Sequence, residues 1–181
     1  MREKKVLLAT GFEALDEYIE QFQGFRVEHK IYTRDEMMEA VQFFEPEMMV
    51  VSDYLSGVTP LIPLIIDVKQ TFPHVEILYI TTKVDPTDKV RTSQLASLVM
   101  VGVYPVLVDR AVTPSMVEHM MNNPPEREEV EWLLSFYRKS EKKKENLFEV
   151  QFEEEDVYDI EEEGYPNVFL ISSIKPGSGK S

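Results

Sequence analysis

The chain has 181 residues, 43% of them hydrophobic, and a formal net charge of −14, which is enough material for one ordinary domain with extensions. It contains no cysteine, which excludes a disulfide framework and a thiol-ligated metal and fits a reducing cytoplasm. The acidic balance argues against direct nucleic-acid binding by this portion. No apolar run approaches the roughly 18–20 residues of a membrane span, and the stretch after Met1-Arg-Glu-Lys-Lys is too short for a signal peptide.

Lys5–Ala9 is a short apolar run and predicts a buried strand. Phe12, Leu15, Ile19 and Phe22 recur at helical spacing, and Gly24 stops that helix. Phe25–Tyr32 alternates as a second strand. Thr33-Arg-Asp-Glu36 reads as a capping box. The helix it opens places Met37, Val41 and Phe44 on one face and ends at Pro46. Met48–Ser52 is nearly all apolar, as a central parallel strand is. Thr59-Pro60 opens a helix with Leu61, Leu64, Ile65 and Val68. Glu76–Ile80 is a fourth strand. Asp88–Met100 is a helix with Val90, Leu95 and Leu98 inward. Val103–Val108 is a fifth strand, and Pro105 places it at an edge. Thr113-Pro114 caps a helix through Met121.

Strand and helix thus alternate five times. That order predicts an α/β fold, a doubly wound five-stranded parallel sheet with helices on both faces. Sites in such sheets form at the carboxyl ends of the strands. His29, His74 and His119 are dispersed and predict no metal site. The nine methionines, including Met37, Met48, Met49, Met116 and Met120, read as core filler.

Beyond this unit the composition changes. Asn122-Asn-Pro-Pro125 marks a boundary. Glu126 to about Lys139 predicts an accessory helix with Val130, Leu133, Leu134 and Tyr137 on one stripe and Trp132 and Phe136 on another. Two apolar faces ask for two partners, or for one partner and the domain itself. The cluster Arg138-Lys139 with Lys142-Lys143-Lys144 stands beside Glu141 and Glu145 and reads as a solvated helix end. Glu153–Glu163 is an acidic linker that self-repulsion extends. Val168–Ile174 is an apolar strand that opens onto Lys175-Pro-Gly177-Ser178-Gly179-Lys180-Ser181. That is how a phosphate-binding loop begins: glycines let backbone N–H groups approach phosphate, the lysine reaches the β/γ phosphates, and the serine takes Mg²⁺. The expected domains are 1–123, an accessory helix over 124–145, a linker over 146–166, and the start of a nucleotide-binding domain over 167–181. The ending at Ser181, before the helix that would complete the cradle, reads as a truncation.

Three segments carry a resemblance to the receiver (CheY-like) domains of response regulators. Pro46-Glu-Met-Met-Val-Val-Ser-Asp53-Tyr-Leu-Ser-Gly57 resembles the segment that bears the phospho-accepting aspartate. Ile80-Thr81-Thr82 resembles the switch position, and Val101-Gly-Val-Tyr104 the lead-in to the fifth strand. The resemblance implies an acid pair after the first strand and a lysine after the fifth. Here the first strand runs into Thr10-Gly11-Phe12, with Glu13 in a helix turn, and the fifth ends Val108-Asp109-Arg110. The reading is a pseudo-receiver: Asp53, Thr81 and Thr82 are vestigial, Asp53 is a hydrogen-bonded strand-end residue, and there is no catalytic or metal site.

The phosphate loop is similar to the deviant loop of MinD/ParA-like ATPases, with Lys175 as the early lysine and Pro176 where that pattern has glycine. A pseudo-receiver followed by such a loop resembles the CpaE/TadZ branch of that family. The resemblance implies a non-enzymatic, self-associating localisation domain of a cytoplasmic ATPase. The full-length protein would use ATP and Mg²⁺, and the 181-residue chain alone would have neither cofactor nor ATPase activity. Expected partners are a second copy, through residues 88–109 or the helix around Trp132, and a bacterial assembly or polar-localisation protein serving pilus, secretion, plasmid or conjugative machinery. Two alternatives stand beside it: a phosphorylation-dependent receiver using Asp53, and a flavodoxin-like small-molecule binder.

Overall fold

The computed structural model describes residues 2–109 and 111–135. Arg110, Phe136, Tyr137, the basic cluster, the acidic linker, the last strand and the phosphate loop lie outside the described residues. The elements are β1 (Lys4–Ala9), α1 (Glu13–Ile19), β2 (Phe25–Lys30), a 3-10 turn (Arg34–Glu36), α2 (Met37–Phe44), β3 (Met48–Ser52), α3 (Leu61–Thr71), β4 (Glu76–Thr82), α4 (Lys89–Met100), β5 (Val106–Val108), α5 (Pro114–Asn122), α6 (Arg127–Val130) and a second 3-10 turn (Glu131–Leu133).

The five strands form one parallel sheet in the order β2-β1-β3-β4-β5. The predicted α/β fold is therefore the observed one. Alternation along the strands divides the core in two. Val6, Leu8, Val50, Leu78 and Ile80 meet Leu15 and Ile19 of α1 and Val117 and Met121 of α5. Leu7, Ala9, Met49, Val51, Ile77 and Tyr79 meet α2, α3 and α4 on the opposite face. All five residues of β3 are buried, because it lies at the centre of the sheet with helices over both sides. Met37, Met48 and Met49 are core residues, as expected.

Several local expectations change. Thr33 and Glu36 form no capping box; the Thr33 hydroxyl donates to the Glu36 carboxylate at 2.9 Å, and the first turn is 3-10. The box is made instead at Glu126 and Glu129. Thr59 caps nothing, for α3 starts after Pro60 and the Thr59 hydroxyl bonds the Asp35 carboxylate. Val90 is 71% exposed rather than inward, since Leu95, Leu98 and Val99 set the buried side of α4. β5 is half its predicted length. The residues before it close α4: Gly102 at φ +84 lets Val103 N–H bond Leu98 O at 2.9 Å and Gly102 N–H bond Val99 O at 3.2 Å, a Schellman end. Pro105 then has no N–H for the ladder.

The accessory segment is one short helix and a 3-10 turn within the described residues. Its Val130, Leu133 and Leu134 enter the core shared with α4, so one of the two predicted faces is covered by the domain itself. Trp132 remains partly exposed.

Gly11 and Gly24 both adopt positive φ, +65° and +85°. A Cβ on Gly11 would stand 2.4 Å from the Tyr54 carbonyl oxygen, whereas one on Gly24 would meet nothing within 4 Å. Gly24→Ala is expected to cost about 1 kcal/mol from backbone strain alone. Gly11→Ala is expected to cost about 3 kcal/mol or more, because backbone has to move as well. Urea midpoints of the two variants measure the difference.

Candidate functional site

Asp53 follows the last residue of β3 and keeps the side-chain parity of Met49 and Val51. The register pairs Val51 with Tyr79 and Ser52 with Ile80, which brings Asp53 level with Thr81. The Tyr79 hydroxyl donates to one Asp53 oxygen and the Thr81 hydroxyl to the other. Arg91, in the first turn of α4, closes the group. Its Nη2 lies 3.1 and 3.0 Å from the two carboxylate oxygens, 3.0 Å from the Tyr79 hydroxyl and 2.8 Å from the Thr81 hydroxyl. The Asp88 carboxylate accepts the Arg91 backbone N–H at 3.0 Å, which caps the helix and fixes the arginine's starting point.

Both carboxylate oxygens therefore face donors, one of them a cation. Charge-assisted bonds of this kind are the strong ones. Burial, followed by the hydrogen bond to Asp53 and its charge, pushes the Tyr79 hydroxyl up to about 12. The expectation that Asp53 is a hydrogen-bonded strand-end residue is met. Of the two switch-position residues, Thr81 is at the site. Thr82 is exposed, because adjacent strand residues face opposite sides. Lys175, Gly177, Ser178, Gly179, Lys180 and Ser181 lie outside the described residues.

The metal question turns on the loop after β1. Thr10, Gly11 and Phe12 offer no acid. Glu13 is exposed at the start of α1. The buried acid nearby is Asp16, and it is turned to Thr10, whose hydroxyl donates to it at 2.5 Å. Burial pushes the Asp16 carboxyl up, against the hydrogen bond from Thr10 and the charge of Lys30. Thr10 also receives the Phe12 N–H at 3.0 Å, and its carbonyl accepts the Ser52 hydroxyl at 2.6 Å. This corner is committed to bracing loops. Among the described residues no three His, Asp or Glu side chains cluster as metal ligands. The donor set does not fit a divalent ion beside Asp53. At the end of β5, Asp109 pairs with Lys83 at 3.3 Å in the open.

Tyr79 and Arg91 were not singled out from the sequence. Tyr79 carried a usable signal: a tyrosine inside a buried strand needs a partner for its hydroxyl, and its parity with Thr81 points that hydroxyl toward Asp53. Arg91 carried none, since the rotation of α4 over the sheet is a packing outcome.

Tyr79 provides a pH test. Its folded value is raised, so its contribution is complete below about pH 10 and is lost as pH rises toward 12. Between pH 10 and 11 the wild type is expected to lose about 1 kcal/mol more stability than Tyr79→Phe. Denaturant unfolding of both proteins at the two pH values measures this.

No family model matches the chain, and no curated protein matches it. Solved structures do. The isolated REC domain of RcsB from Salmonella enterica serovar Typhimurium, in the presence of the phosphomimetic BeF3-, is 17% identical with a TM-score of 0.53, over 73% of this chain and 99% of that one. A DNA-binding response regulator of the LuxR family from Staphylococcus aureus is 14% identical with a TM-score of 0.52, over 66% and 96%. RcsB bound to promoter rprA is 16% identical with a TM-score of 0.54, over 77% and 68%. At these identities the likeness is one of architecture, and the described residues have the receiver fold.

Proposed function

We propose that residues 1–123 are a non-catalytic receiver-type regulatory domain. The observation that carries this reading is the occupied carboxylate of Asp53, bonded by Tyr79, Thr81 and Arg91 beside a β1 loop without a metal-ligating acid. Phosphoryl transfer to an aspartate is slowed when donors hold the attacking oxygen, and it needs a cation to offset the incoming charge. Asp53 has neither feature in full: its oxygens are engaged, and among the described residues the cation paired with it, Arg91, already bonds both of them.

A second reading, phosphorylation at Asp53, draws on the same Arg91, whose positive charge would favour a phosphoryl group if the side chain turned. Incubation with Mg²⁺ and a small acyl-phosphate donor, followed by intact-mass measurement, separates the two. No adduct on the wild type is expected. An adduct that disappears in Asp53→Asn would overturn the pseudo-receiver reading.

The finer part of the proposal concerns the whole protein. The sequence Lys175-Pro-Gly177-Ser178-Gly179-Lys180-Ser181 supports attachment to a MinD/ParA-like ATPase of the CpaE/TadZ type, with the receiver-fold unit serving localisation and self-association. ATP and Mg²⁺ would belong to the complete ATPase domain. The apolar residues of segment 95–108 are mostly core, which leaves Val90 and Met100 on α4, with Trp132 beside it, as the exposed apolar groups there. Self-association through this side predicts that Met100→Glu and Trp132→Ser shift the sedimentation coefficient toward that of a monomer. Unchanged sedimentation in both would move the interface elsewhere.

A further inference from the structure

Four exposed apolar side chains stand on the three loops that leave β1, β2 and β3. They are Phe12, Tyr32, Tyr54 and Val58, and the last two are 73% and 92% exposed. β2, β1 and β3 are neighbours in the sheet, so the loops emerge side by side at its carboxyl edge. Such an edge, at the point where the strand order reverses, is where open α/β sheets form sites.

The loops are cross-braced. Gly11 lies under the Tyr54 carbonyl, too close for any Cβ. The Ser52 hydroxyl donates to Thr10 O and accepts the Tyr54 N–H at 3.2 Å. The Ser56 hydroxyl donates to Tyr32 O at 3.2 Å, and Thr33 bridges to Ser56. Arg34 donates from Nε to Leu55 O at 2.8 Å and from Nη1 to Thr59 O at 3.2 Å. Its guanidinium thus braces the loop through two of its N–H groups. A braced surface holding aromatic groups has little ordering entropy left to lose on binding, and Tyr is among the residues that dominate protein interfaces.

Charge selects the partner. Glu13 and Glu17 on α1, Asp35 and Glu36 in the 3-10 turn and Glu39 on α2 are exposed on the segments that follow the first two of these loops, and the whole chain is acidic. We infer that the loops after β1, β2 and β3 form a docking surface for a protein segment that presents apolar side chains flanked by Lys and Arg. This surface borders the Asp53 cluster, since Tyr54 follows Asp53 directly, but Phe12, Tyr32, Tyr54 and Val58 are not among the side chains bonded to the Asp53 carboxylate.

The test uses the 181-residue chain and two designed helical peptides of equal length, one of Leu and Lys, the other of Leu and Glu. Titration calorimetry at low salt is expected to detect binding of the Leu/Lys peptide alone, weakening at high salt. Tyr54→Ser and Val58→Ser are each expected to weaken it about fivefold. Phe43→Ser, an exposed aromatic on α2, is expected to leave it unchanged. Equal binding of the Leu/Glu peptide, or wild-type affinity in both loop variants, would overturn the inference. So would a peptide-free dimer that Tyr54→Ser converts to monomer, because the surface would then belong to a second copy. Pelleting with phosphatidylcholine vesicles that Tyr54→Ser abolishes would assign it to a lipid surface instead.

Discussion

A carboxylate at the end of a buried strand must be compensated, and the Asp53–Arg91 contact does this here. Desolvating a charge is costly unless an opposite charge and hydrogen bonds replace the water. Tyr79 and Thr81 supply two bonds from the neighbouring strand, and Arg91 supplies the charge from the following helix. The pair is still one-third exposed on the aspartate side, so its worth in stability is modest. Its larger effect is geometric. It ties the first turn of α4 to the ends of β3 and β4.

That tie places α4 between two commitments. Its first turn holds Arg91 against Asp53, while Leu95, Leu98 and Val99 lie in the core that Val130, Leu133 and Leu134 also enter. The accessory segment therefore packs against the same helix that neutralises Asp53. The corner around Thr10 follows a different logic. There a threonine, a serine and a buried aspartate bond one another and nearby backbone, which stiffens the loops after β1 and β3. The described residues have the receiver fold, and the Asp53 and Thr10 groups at its carboxyl edge bond to neighbouring loops and to α4.

Much of this was legible in the order of residues. Five apolar runs separated by helical spacings define a parallel α/β sheet, since fully buried strands read as continuous apolar stretches. Asp53 was located by its place after such a run, and the missing acids after β1 were visible as Thr10-Gly11-Phe12. The misreadings share one cause. Thr33 with Glu36 fits a capping box by spacing, yet the chain enters α2 through a 3-10 turn braced to Ser56. Val90 fits an inward position by helical periodicity, yet α4 is rotated so that Leu95 and Leu98 face the sheet.

The sequence by itself determined the periods, and with them the element order, the buried strands and the lack of an acid at Thr10-Gly11-Phe12. These are local properties, set by neighbours one to four residues apart. Tertiary structure alone decided which cation faces Asp53. Arg91 is 38 residues away, and only the parallel register of β3 with β4 and the docking of α4 bring it within hydrogen-bond reach. The same holds for the exposed apolar groups Phe12, Tyr32, Tyr54 and Val58: they are scattered along the chain, and the loops that carry them come to one edge because the sheet order places β2, β1 and β3 side by side.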